Sequence, residues 1–174
     1  MIHNERRPFY GFGTEVEFGP LPISEWHPYM SKRFKESGLT IGLPEVQELV
    51  MLMEEVPNSI QELCQMLAFT RSHKKIMSND IRVCIEEILD LKGSRYLERL
   101  VNMTEKEKKI LAGIAKCDAL ANVTSADFIK ATGVSPSGIK SAVKRFYDYG
   151  LIDLGPRGYQ LVDPLFKLFL AKNL

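Results

Sequence analysis

SADFIKATGVSPSGIKSAVKRFYDYGLIDLGPRGYQLVD, residues 125–163, holds the punctuation from which the fold can be read. Ser125 can cap a short helix, and Gly133 can close it. After the turn VSPSG comes a second helix, IKSAVKRFYDYG, ended by Gly150. IDLGPRGYQLVD then reads as two short strands around a tight Gly-Pro-Arg-Gly turn, and PLFKLFLAKNL as a closing helix. Upstream, Thr104 with Glu107 fits a capping box, and Ile110, Leu111 and Ile114 give that helix an inward face. Helix, helix, turn, helix and hairpin within residues 104–174 spell a winged helix-turn-helix.

Outward toward the N-terminus the pattern changes. ERRPFYGFGTEVEFGPLP, residues 5–22, reads as a short strand and loop. A lone strand leaves its backbone groups unpaired. Ser24 can cap a helix with Pro28 in its first turn, placing Trp26, Tyr29, Met30 and Phe34 on one face, and Gly38 ends it. Near Pro44 a second helix begins, carrying Val46, Leu49, Val50, Met53 and Val56, and Pro57 stops it. Asn58 or Ser59 can cap a third, which presents Ile60, Leu63, Cys64 and Leu67. The long segment from Ser78 carries Ile81, Cys84, Ile85 and Ile88, then Leu97, Leu100 and Val101 beyond a break expected at Gly93-Ser94. The fold expected is therefore mainly α: a four-helix bundle with a short strand over 1–103, then a winged helix with a β-hairpin over 104–174.

Composition supports an ordinary globular chain. Of 174 residues, 45% are apolar and 26% charged. No apolar run approaches the roughly 20 residues that cross a bilayer, and the first residues lack the apolar stretch of a signal peptide. Cys64, Cys84 and Cys117 are odd in number, far apart and on apolar helical faces. Buried thiols in a reducing, cytoplasmic setting are expected, not disulfides or a zinc site. The net charge is +1 but unevenly spread: 11 Lys/Arg stand against 7 Asp/Glu from Thr104 onward, and 12 against 15 before it.

The helix at 139–150 is the most informative element for function. Ile139, Ala142, Val143 and Phe146 fall on one side, while Ser137, Lys140, Ser141, Lys144 and Arg145 fall on the other. Such an arc can enter a major groove and meet phosphates and base edges. With Ser135 at the turn and Arg157 at the wing tip, these seven residues are the candidate DNA-binding set. Asp148 in the same arc dilutes the charge, and a solvated or protein-binding surface stays open as the alternative. No G-x-x-x-x-G-K-[ST] phosphate loop occurs. His3, His27 and His73 are scattered without an acid or nucleophile at a meaningful spacing. Catalytic residues, metal ligands and cofactor-binding residues are accordingly expected to be none, and Glu86-Glu87 reads as a solvated face.

RPFYGFG (7–13), FGPLPISEW (18–26), HPYMSKRFKESGLTI (27–41), VPNSIQELCQML (56–67) and YQLVDPLFKLFLA (159–171) together resemble the later part of archaeal-type AAA+/STAND ATPases. In that family a core strand leads into a helical lid and then a winged helix. The resemblance implies a lid plus winged helix without the nucleotide-binding core, so ATP and magnesium would be needed only with a core supplied elsewhere. Two departures stand out: Pro57 is followed by Asn58, Ser59 and Ile60 where related lids place an arginine, and Glu55 stands where a glycine is usual. Both count against direct nucleotide sensing by this lid.

The expected function is the regulatory and binding region of such an ATPase, with double-stranded DNA, a protein partner or the missing core as partners and no membrane. A free-standing winged-helix transcription regulator and a pure protein-interaction module are the alternatives. Phe9, Tyr10, Phe12 and Trp26 are expected to form an exposed apolar patch supporting weak homo-oligomerisation.

Overall fold

The computed structural model describes residues 19, 21–71, 74–117 and 119–174. The strand expected within 5–22, along with Phe9, Tyr10 and Phe12 of the expected patch, falls outside them, apart from the loop residues Gly19, Leu21 and Pro22. Eight helices and one hairpin follow in order: α1 (Ile23–Glu36), α2 (Leu43–Leu52), α3 (Pro57–Thr70), α4 (Ser78–Val101), α5 (Glu105–Ala115), α6 (Ala126–Thr132), α7 (Pro136–Asp148), β1 (Ile152–Gly155), β2 (Gly158–Leu161) and α8 (Pro164–Asn173). The mainly helical class with a C-terminal hairpin is as the sequence predicts. None of the described helices is long and apolar enough to cross a membrane.

Several helix starts differ from expectation for one reason. Prolines with their fixed φ stand at these helix starts, and in α1, α2 and α3 no side-chain cap is made. Pro22, not Ser24, stands at the N-cap of α1, and its carbonyl accepts from Glu25 and Trp26 N–H. Pro57 begins α3 behind Val56, so neither Asn58 nor Ser59 caps it, and α2 has already ended at Leu52. α7 starts at Pro136, one turn earlier than the sequence reading.

Three helices end alike. α1 and α7 close with the N–H of Leu39 on Phe34 O and of Leu151 on Phe146 O, around left-handed Gly38 and Gly150. α2 closes the same way, with Glu55 N–H on Val50 O and Glu54 N–H on Met51 O. Here the left-handed residues are Glu54 (φ 48°) and Glu55 (φ 61°). This conformation gives a physical reason for a glycine at the Glu55 position.

α4 is one unbroken helix of 24 residues; the break expected at Gly93-Ser94 does not occur. Gly93 lies beneath the Phe169 ring of α8, which packs over it without displacing the backbone. Continuity also rotates the buried stripe, which runs through Ile81, Ile85, Ile88, Leu89, Tyr96 and Leu100. Leu97 and Val101, expected inside, are 55% and 74% exposed. Tyr96 takes their place, its ring centroid 5.0 Å from Phe166 and 5.2 Å from Phe169.

Trp26, expected on an exposed patch, is 4% exposed, buried with Met30 and Phe34, whereas Tyr29 is half-exposed. All three cysteines are free. Cys84 is buried and Cys64 partly so, while Cys117 lies in the turn after α5 and not on a helical face. One apolar core runs through both halves, with α4 and α8 as the shared wall. Lys167 of α8 pairs with Glu54, and Lys172 with Glu86.

Candidate nucleic-acid interface

The α5 helix is the base on which the site is built. Thr104 accepts from Glu107 N–H at 3.3 Å, and the Glu107 carboxylate accepts from Thr104 N–H at 2.8 Å, the reciprocal capping box read from the sequence. Ser125 caps α6 by accepting from Phe128 N–H at 3.3 Å, and left-handed Gly133 (φ 65°) turns the chain into α7. Ile139, Ala142, Val143 and Phe146 of α7 are buried, facing α5 and β1 as the wheel predicts. The opposite arc is thereby forced into solvent.

The seven predicted residues divide by local role. Ser137, Lys140, Ser141 and Lys144 line the exposed arc of α7, and neither lysine has an ion-pair partner among the described residues. Ser135 is exposed but also serves as the N-cap of α7, accepting from Gly138 N–H at 3.3 Å. Arg145 is turned toward α5, where its guanidinium pairs with Glu107. Arg157 sits at the tip of the hairpin, between Gly155 and Gly158, which are paired in register. It is exposed and set apart from the α7 arc in the chain.

The hairpin's position is fixed by a close approach. Leu120 and Tyr159 exchange N–H···O bonds of 2.9 and 3.0 Å, tying β2 to the α5–α6 loop. A Cβ at Gly158 (φ 124°) would lie 2.5 Å from the Leu120 carbonyl carbon and oxygen, so this contact requires glycine. In the sequence Gly158 is legible as a turn residue, whereas the backbone contact depends on Leu120, far from it in the chain.

Glu107 is the pivot of the electrostatics. Burial opposes its ionisation, but hydrogen bonds from Thr104 and the Arg145 guanidinium outweigh this and hold its carboxyl below the ordinary carboxylate range. Arg145 is thus a strut between α5 and α7, and the free cations of the arc are Lys140 and Lys144. Tyr147 and Tyr149, exposed at the end of α7, were not singled out from sequence; Tyr149 is 74% exposed. In the bundle, α1 and α3 enclose a groove of about 460 Å³ whose lining includes Trp26, Tyr29, Arg33, Cys64 and Phe69. The Trp26 Nε1 there is buried without a hydrogen-bond partner among the described residues, and Phe69 is 79% exposed at its edge. Burial pushes the Cys64 thiol up to about 12 and the Cys84 thiol up to about 11, so both are protonated at neutral pH.

Comparison with known proteins agrees with this geometry. Residues 94–172 match the family model of a probable winged helix domain. That region begins inside α4 and takes in Tyr96, which packs on α8. No curated protein matches the sequence. Among solved structures, a Walker-type ATPase of Pyrococcus abyssi is similar, with a TM-score of 0.66 and 18% identity. The match covers 97% of this chain and 47% of the ATPase chain, so this protein spans under half of that relative's length. At this identity the likeness is one of fold.

Proposed function

We propose that this chain is the lid and winged-helix portion of a AAA+/STAND-like ATPase, residues 1–103 forming the lid-like part and 104–174 the winged helix, and that the winged helix contacts duplex DNA through α7. Support for the first part is the nearly complete coverage of this chain by one half of a Walker-type ATPase. Support for the second is the exposed Ser137–Lys140–Ser141–Lys144 arc on a helix whose other side is buried. Lysines on such an arc neutralise phosphates, and the hydroxyls can donate to phosphate oxygens or base edges. ATP hydrolysis, in this reading, belongs to a core domain and not to these residues, and the free thiols suit a reducing compartment.

The test is a fluorescence anisotropy titration with random duplex DNA at two salt concentrations, on the wild type and on Lys140→Glu/Lys144→Glu. Binding that weakens steeply with salt and is lost in the variant is the expected result. Equal binding by both proteins would remove α7 as the DNA-contacting element. Absence of binding even at low salt would favour a protein partner instead. That second reading draws on the exposed Tyr147 and Tyr149 beside Asp148, since tyrosines are enriched where proteins meet.

A further inference from the structure

The basic excess of residues 104–174 is not confined to α7. α5 and the C-terminal end of α6 enclose a groove of about 570 Å³, distinct from the α7 arc. Its lining includes Lys108 and Lys109 from α5, Lys116 at the C-cap of that helix and Lys130 from α6, with Glu105 and the last residue, Leu174, beside these four lysines. Glu105 is already committed: it accepts from Lys108 Nζ at 2.7 Å, and Lys108 together with Lys109 holds its carboxyl below the ordinary range. Lys109, Lys116 and Lys130 are exposed and form no salt bridge among the described residues. These three ammonium groups share the lining of one groove, and none of them takes part in an ion pair among the described residues.

The groove lies close in the chain to the start of α7. Thr132 and Gly133 are among its lining residues, and Gly133 leads through Val134 into Ser135, the cap of α7. In the chain, the groove residue at α6's C-cap therefore stands two residues before the cap at the N-terminal end of the helix that carries Lys140 and Lys144. A chain of phosphates passing that end has unneutralised cations on both sides of the α6–α7 turn.

We propose that the α5–α6 groove is a second contact for the sugar-phosphate backbone of duplex DNA, extending the α7 interface past its N-terminus. This rests on the reading of α7 as a DNA contact. The groove offers ammonium groups and no aligned set of base-reading side chains, so it adds affinity and registers the protein on the duplex without adding sequence preference.

The experiment compares wild type, Lys140→Glu/Lys144→Glu, and Lys109→Gln/Lys116→Gln/Lys130→Gln on two unrelated duplexes over a salt series. Thermal melts verify that each variant is folded, and single Lys→Gln variants stand in if the triple is not. Each lysine that meets a phosphate contributes about 0.9 to the slope of log K against log salt. The triple variant should therefore show a slope shallower by up to about 2.7, with the same loss on both duplexes. An unchanged slope in the triple variant, with binding still lost in the α7 variant, overturns the groove and leaves the α7 reading standing. A loss confined to one duplex also overturns it, because a backbone contact is blind to sequence. No binding by wild type at low salt overturns both.

Discussion

Glu107 does two jobs whose separation can be measured. It completes the cap of α5 and holds the Arg145 guanidinium that joins α5 to α7. Because its carboxyl is held below the usual range, its stabilisation is present at neutral pH and is lost as pH falls through its folded value. Glu107→Gln keeps a capping amide but removes the charge. The stability gap between wild type and this variant should be full at neutral pH and narrow progressively as pH falls below the ordinary glutamate value of about 4.3. Chemical denaturation at each pH measures that gap, and a gap of constant size would rule out the ionic contribution. Glu55 makes the reverse case. It is exposed, left-handed and free of the pairing that occupies Glu54, so Glu55→Gly should raise stability by up to about 1 kcal/mol. A lower midpoint in denaturant would count against strain at this turn.

At the scale of elements, two helical glycines look interchangeable in sequence and are not in space. A Cβ at Gly93 of α4 would meet only the Phe169 ring at 4.0 Å, an ordinary contact. Gly93→Ala should stabilise by about 0.5–1 kcal/mol through helix propensity. A Cβ at Gly113 of α5 would come within 2.8 Å of the buried Phe128 ring. Gly113→Ala should cost about 1–3 kcal/mol by overpacking. Melting curves of the two variants should shift in opposite directions; shifts of the same sign would mean that packing does not distinguish the sites. The same contrast explains what the sequence reading could see. Thr104, Ser125 and Gly133 were legible because caps act over three or four residues. The second half of α4 was misphased because a glycine was read as a break, when a ring from α8 covers it.

For the whole molecule, the decisive feature is that bundle and winged helix share a wall. Tyr96 and Arg99 of α4 pack against α8, with Arg99 5.4 Å from the Phe166 ring, and Tyr96 donates to Asp163 Oδ2 at 3.2 Å. Asp163 in turn caps α8, accepting from Leu165 and Phe166 N–H at 3.1 Å. With the core continuous across this seam, calorimetry should record a single cooperative transition. Phe166→Ala removes the ring at the centre of the seam and should cost about 3–5 kcal/mol. Two resolved transitions in the wild-type protein would show that the halves unfold separately.

The sequence by itself determined the local facts: which segments are helical, where α5 and α6 are capped, where the hairpin turns, and that Ser137, Lys140, Ser141 and Lys144 share an arc. Each of these follows from periodicity or from a cap spanning a few residues, so neighbours in the chain suffice to specify it. Tertiary structure alone decided that α4 runs through Gly93, that Trp26 is buried, that Arg145 is held by Glu107, and that lysines of α5 and α6 line one groove. Those outcomes depend on side chains far apart in sequence, whose meeting is settled only when the shared core closes and the helices take their crossing positions.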